Sequence, residues 1–180
     1  MADAPIRIAA VAFNTPDQAT AGYDGLKWLS QSMHLEIEGH AVITKDSEGK
    51  VTLAESKDAD PGAARGGVVG GTVGFMLALF TGPIGVAAIG VGAATGAVAA
   101  HLRDSGFPDR ELQAIGDLMQ KDRSVLLVAL KAEYADRLTN AIETLPEFAG
   151  RLGVHYADIT DTKALGDAVT EYRRLVRGQQ

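Results

Sequence analysis

The sequence contains no cysteine. That excludes disulfides, thiol nucleophiles, iron–sulfur clusters and cysteine-based zinc sites together, and it leaves the compartment open. Aromatic residues make up only 6% of the chain, and Trp28 is the single tryptophan. Positive charge is short: 17 Lys and Arg stand against 23 Asp and Glu, for a net charge of −6. A general nucleic-acid binder carries the opposite balance, so no nucleic-acid partner is expected. Met1-Ala2-Asp3-Ala4-Pro5 is not a basic region leading into a long apolar stretch, so no secretory signal is expected and the protein is placed in the cytoplasm. What is present is a 180-residue chain, 46% hydrophobic. That is enough for one domain with a real core, or one domain with an appendage. Many of its 21 glycines fall between Gly66 and Gly96.

Ile6 to Phe13 is a short apolar run of strand formers and predicts a buried first strand. Thr15 and Pro16 then supply a cap and a first helical position. A helix follows to about Met33, with Ala19, Tyr23, Leu26 and Leu29 on its core face. Trp28 falls off that face and is expected at an exposed interface. Leu35 to Lys45 and Lys50 to Lys57 read as two strands around the turn Asp46 to Gly49. Later in the chain, Pro108 to Gln120 reads as a helix with Leu112, Ile115, Leu118 and Met119 inward. Ser124 to Leu130 predicts a strand buried on both faces. A helix from Tyr134 to Leu145, a strand from Val154 to Ile159 and a helix from Asp161 to Val176 complete the order. The first six elements match an α+β, ferredoxin-like antiparallel sheet domain with helices on one face. The remaining elements then form a C-terminal βα extension. The domain is discontinuous, residues 1–60 and 104–180.

Between its two parts lies a glycine-rich apolar helical hairpin, residues 61–103. From Gly66 to Ala100 there is no charged residue, and Thr81-Gly82-Pro83 marks the turn. Gly66, Gly70 and Gly74 repeat every four residues in the first arm, and Ala88, Gly92, Gly96 and Ala100 in the second. On a helix this spacing makes a smooth groove that another helix can approach closely. These seven residues are the expected helix-packing and oligomerisation positions. Each glycine costs about 1 kcal/mol against alanine in a helix, so close packing or a bilayer must stabilise the arms. Three readings stand. The hairpin inserts in a bilayer, it is buried in a soluble homo-oligomer, or it is the core of a monomer. Each arm has roughly 16 apolar residues, ~24 Å of helix, against the ~30 Å of a hydrocarbon core. Arg65, His101 and Arg103 at its ends favour the cytoplasmic side, diluted by Asp58, Asp60 and Asp104.

After the hairpin come Ser105-Gly106-Phe107-Pro108-Asp109, then Ile115-Gly116-Asp117-Leu118, then Lys121-Asp122-Arg123-Ser124-Val125-Leu126-Leu127-Val128. This order resembles a widespread bacterial domain-of-unknown-function family whose members are generally described as uncharacterised membrane proteins. It is also similar to small general-stress-type proteins that carry a glycine-zipper hairpin in a ferredoxin-like domain. The resemblance covers about Ile6 to Leu130. It implies membrane association and a stress-response setting, and it carries no catalytic residue across.

Gly90, Gly92 and Gly96 have the look of a dinucleotide loop, but no strand precedes them and no acidic ribose partner is placed. No Gly-Lys-Ser/Thr follows Gly66 and Gly70, which excludes a Walker loop. Glu36, Glu38 and His40 alternate, as a metal or acid–base trio would, yet they are expected on the polar face of the sheet. His34, His101 and His155 have no metal-ligand spacing. Asp158, Asp161 and Asp167 are expected as acids of a strand end and a helix start. Arg173, Arg174 and Arg177, beside Tyr172, read as a solvated helix end. No catalytic residue, metal or cofactor is therefore assigned. The expected protein is a non-enzymatic, homo-oligomeric, membrane-associated or scaffolding protein, with itself and the inner face of the cell membrane as partners. The alternatives are a closed soluble oligomer that shells or carries an apolar ligand, and a small-ligand or metal sensor.

Overall fold

The computed structural model describes residues 5–33, 35–48, 51–56 and 109–160. The hairpin with its seven packing positions lies outside them. So do His34, His101, Asp161, Asp167 and the C-terminal arginines.

The elements run β1 (Ile6–Phe13), α1 (Pro16–Met33), β2 (Ile37–Lys45), β3 (Val51–Ser56), α2 (Asp109–Leu118), β4 (Arg123–Lys131), α3 (Ala135–Thr144) and β5 (Gly153–Ile159). Short 3-10 turns, Ala132–Tyr134 and Pro146–Phe148, flank α3. The five strands form one sheet in the order β3-β2-β4-β1-β5, and every neighbouring pair is antiparallel. The expected mixture of helices with an antiparallel sheet is thus observed.

Two expectations about its layout are corrected. The strand placed in a C-terminal extension is part of the sheet: β5 pairs with β1 from Ile6↔Ile159 to Ala12↔Gly153. The cause is β1 itself. It is buried along almost its whole length and so needs a partner on each side, β4 on one and β5 on the other. The helices also do not share one face. Ala9, Val11 and Phe13 of β1 and Leu126, Val128 and Leu130 of β4 pack in one cluster with α1 and α3. The intervening residues Ile8, Ala10, Ala12, Val125, Leu127 and Ala129 are equally buried and point the other way. That second face receives α2, which packs on β5 and β1 through its end of the sheet. Strands apolar on both sides demand cover on both sides.

Local sequence sets the helix ends. The Gln18 N–H donates to Thr15 Oγ1 at 3.4 Å, and the Asn14 N–H donates to Gln18 Oε1 at 3.2 Å. This reciprocal arrangement satisfies donors that the first turn of α1 leaves open, with Pro16 at a position that needs no N–H. Ser124 Oγ donates to the Thr15 carbonyl at 2.5 Å and ties the same turn to β4. Ala19, Tyr23 and Leu26 of α1 are buried as the helical spacing requires. Gly22 lets α1 approach closely: a Cβ there would stand 3.2 Å from both Phe13 and Phe148. The rings of Phe13 and Phe148 meet at 6.0 Å beneath it. A fully buried side chain of this size contributes roughly 1.5–3 kcal/mol, so this cluster anchors α1 and the turn after α3 to the sheet.

Candidate functional site

An open groove of 650 Å³ lies where α1 meets the turn after α3. Its α1 wall is Ala21, Asp24, Gly25 and Trp28, and its other wall is Leu145, Pro146 and Glu147. The construction follows from the chain. α3 ends at Thr144, Leu145 turns extended, and Pro146 starts the 3-10 turn where a helix cannot continue. Phe148 is buried under α1 and Leu145 packs against the same core, so Glu147 between them is turned outward onto α1. Gly25 makes room for it. A Cβ at that position would lie 3.1 Å from Glu147 Cδ and 3.2 Å from its Oε2. Asp24 and Trp28, four apart, share one side of α1 beside this carboxylate.

Trp28 is 63% exposed, which accords with its place off the core face. The indole combines a large apolar body with a polar N–H, and here most of that area is left open on the groove. Asp24 and Glu147 take part in no ion pair among the described residues. The groove therefore offers an aromatic face, a short apolar wall and two carboxylates.

A second polar junction lies on the opposite side of the sheet. His155 Nε2 of β5 stands 2.5 Å from Glu111 Oε2 of α2, and Arg110 Nε donates to Glu111 Oε1 at 2.9 Å. The bond to His155 holds the Glu111 carboxyl below the usual carboxylate range, against the opposing effect of burial. This pair pins α2 on the sheet, next to Ile115 and Met119, which are buried there.

Glu36 and His40 do not share the expected polar strand face, and the side chain of Glu38 lies outside the described residues. Glu36 precedes β2 and pairs with Lys131 at 3.3 Å. The register shifts between Ile37 and Gly39, which breaks the simple alternation. His40 is 2% exposed and stacks on Tyr23 of α1, ring centres 3.4 Å apart and planes within 11°. The imidazole is core, because that face of β2 is covered by a helix instead of by water. Among the described residues no group of three or more potential ligands is placed to hold a metal. Asp158 lies at the end of β5 as expected, and Arg7 grips it with two bonds of 2.7 Å across the β1–β5 pair. His155, which has no metal-ligand spacing in the sequence, has Glu111 as its partner.

Sequence reasoning found Trp28 but not its two acidic neighbours. Asp24 carried a usable signal, the four-residue spacing on α1. Glu147 carried none, because it reaches the groove only through the packing of Phe148. Glu111 would have passed as an acid of a first helical turn.

A family model described as a protein of unknown function (DUF1269) matches residues 63–165, more than half of the chain. The match takes in the glycine-rich segment and then α2, β4, α3 and β5. It lies further towards the C-terminus than the resemblance read from Ile6 to Leu130. No curated protein and no solved structure matches the chain.

Proposed function

We propose that this chain, which belongs to that family of proteins of unknown function, is a non-enzymatic scaffold that self-assembles through residues 61–103. In this reading the assembly lies against the inner face of the cell membrane, and the folded sheet domain organises it. The observation that carries the reading is the stretch from Gly66 to Ala100, which has no charged side chain and small residues four apart in both arms. A chain of this size has little surface with which to cover such a segment alone. The segment connects β3, at one edge of the sheet, with α2 on the second face. Both of its ends thus return to the same folded domain, which supports reading it as an inserted hairpin.

We read the folded part as ferredoxin-like. With β3 set aside, β2-β4-β1-β5 is the order expected of two interleaved βαβ units, with α1 and α3 as the crossovers on one face. β3 is then an added edge strand. No helix among the described residues is long and apolar enough to cross a membrane, so insertion in this reading belongs to residues 61–103 alone.

The test is fractionation of detergent-free material by ultracentrifugation, with light scattering on what stays soluble. Protein confined to the membrane pellet and released only by detergent supports insertion. A discrete soluble oligomer keeps self-assembly and removes the bilayer. A soluble monomer overturns both. Gly70→Leu and Gly92→Leu should each break the assembly by bulk while leaving the circular dichroism of the sheet domain intact. Normal assembly of both variants would sink the helix-packing argument.

A further inference from the structure

We propose that the groove at Trp28 is a binding site for a small organic cation, an alkylammonium or alkylguanidinium, which stacks on the indole between Asp24 and Glu147. Nothing in the proposed assembly requires this site, and it stands on separate observations.

Charge selects the occupant. Asp24 and Glu147 converge on the same stretch of α1, around Gly25, and neither meets a cation among the described residues. An anionic ligand would meet two like charges at once. A second copy of this chain docking through the same patch would bring four carboxylates together, because a two-fold contact doubles every group in it. A cation has the opposite relation to every charged group lining the groove. The net charge of −6 enriches cations near the surface as a whole.

Shape and polarity select an organic cation over a metal ion. A divalent cation seeks several oxygen ligands in a closed shell, and the groove offers two carboxylates beside an indole. Trp28 lines the groove and is 63% exposed, and an indole attracts ammonium and guanidinium groups better than the other two aromatics. Leu145 and Pro146 give an alkyl body an apolar surface to lie on. Gly25 lets the Glu147 carboxyl lie close on α1: a Cβ there would approach it to 3.1 Å, and the carboxyl would have to shift by a few tenths of an ångström.

Trp28 is the only tryptophan, so its emission reports on this groove and on nothing else in the chain. The experiment titrates the full-length protein with n-butylammonium chloride at constant ionic strength, using sodium chloride as the blank and following Trp28 emission. A saturable change with butylammonium and none with sodium is expected. Asp24→Asn and Glu147→Gln should each weaken the apparent affinity by roughly threefold to tenfold. Glu143→Gln, an exposed acid of α3 outside the groove, should leave it unchanged. Calorimetry on Trp28→Leu should show the binding heat lost, with the fold checked by circular dichroism. A flat titration overturns the proposal, and so does an equal response in the double variant Asp24→Asn/Glu147→Gln. Emission that follows protein concentration and ignores the cation also overturns it, because a second copy would then be the occupant.

Discussion

Arg7 and Asp158 face each other across β1 and β5, and the guanidinium holds both carboxylate oxygens at 2.7 Å. Two parallel bonds fix the planes of both groups, and Arg7 also lies 5.8 Å from the ring centre of Tyr156. The hydrogen bonds from Arg7 hold the Asp158 carboxyl below the usual carboxylate range, more than burial raises it. A carboxylate with a depressed folded-state pKa stabilises the protein fully above the unfolded value and loses that effect as pH falls through the folded one. Asp158→Asn should therefore cost stability at neutral pH and cost nothing in strong acid, where the wild-type carboxyl is protonated too. The side chain of Asp158 is 45% exposed, so solvent screens the pair and the neutral-pH cost should be about 0.5–1 kcal/mol. Urea unfolding of both proteins at neutral pH and again below the carboxylate range measures the difference. A gap of equal size at both would place the effect in packing instead of charge.

The helices are held by spacing and by bare backbone in different proportions, and two glycines separate these contributions. Gly22 of α1 sits where a Cβ would come within 3.2 Å of two aromatic rings that are themselves fully buried. Gly116 of α2 is exposed, and a Cβ there would meet nothing within 4 Å. Alanine is preferred to glycine in a helix by up to about 1 kcal/mol. Gly116→Ala should raise stability by about 0.5–1 kcal/mol. Gly22→Ala should lower it by roughly 1–2 kcal/mol, because Phe13 and Phe148 have no room to withdraw and crowding outweighs propensity. Thermal unfolding of the two variants gives shifts of opposite sign if this is right, and two upward shifts if propensity alone decides. The same contrast shows what a sequence displays at this scale. Both glycines lie inside helical patterns, and α1 and α2 are predicted near their observed bounds. Nothing in the one-dimensional pattern says which glycine faces a ring.

At the scale of the molecule, the strands were legible and their order was not. Ser124 to Leu130 announces a central strand, since apolar residues on both faces exclude an edge. The hairpin of β2 and β3 is equally visible, being local. Which member of that hairpin lies inside is a long-range matter: β2 pairs with β4 on its free side, which leaves β3 at the edge. The same long-range pairing takes β5 out of the extension assigned to it and sets it against β1. The candidate groove was half legible for a related reason, since Trp28 and Asp24 are neighbours on one helix and Glu147 arrives from another element. The role of β5 has a direct consequence. Beyond the β1 pairing it carries the Asp158 partner of Arg7 and the His155 partner of Glu111, and it buries Ala157 and Ile159. A chain stopped after Leu152 would leave one whole side of β1 without hydrogen-bond partners and α2 without its polar fastening. A chain stopped after Thr160 keeps all of these. The chain stopped after Leu152 should lose cooperative urea unfolding and near-ultraviolet dichroism, whereas the chain stopped after Thr160 should keep both. If the two truncations behave alike and remain folded, β5 is an appendage after all and β1 is held by β4 and the helices alone.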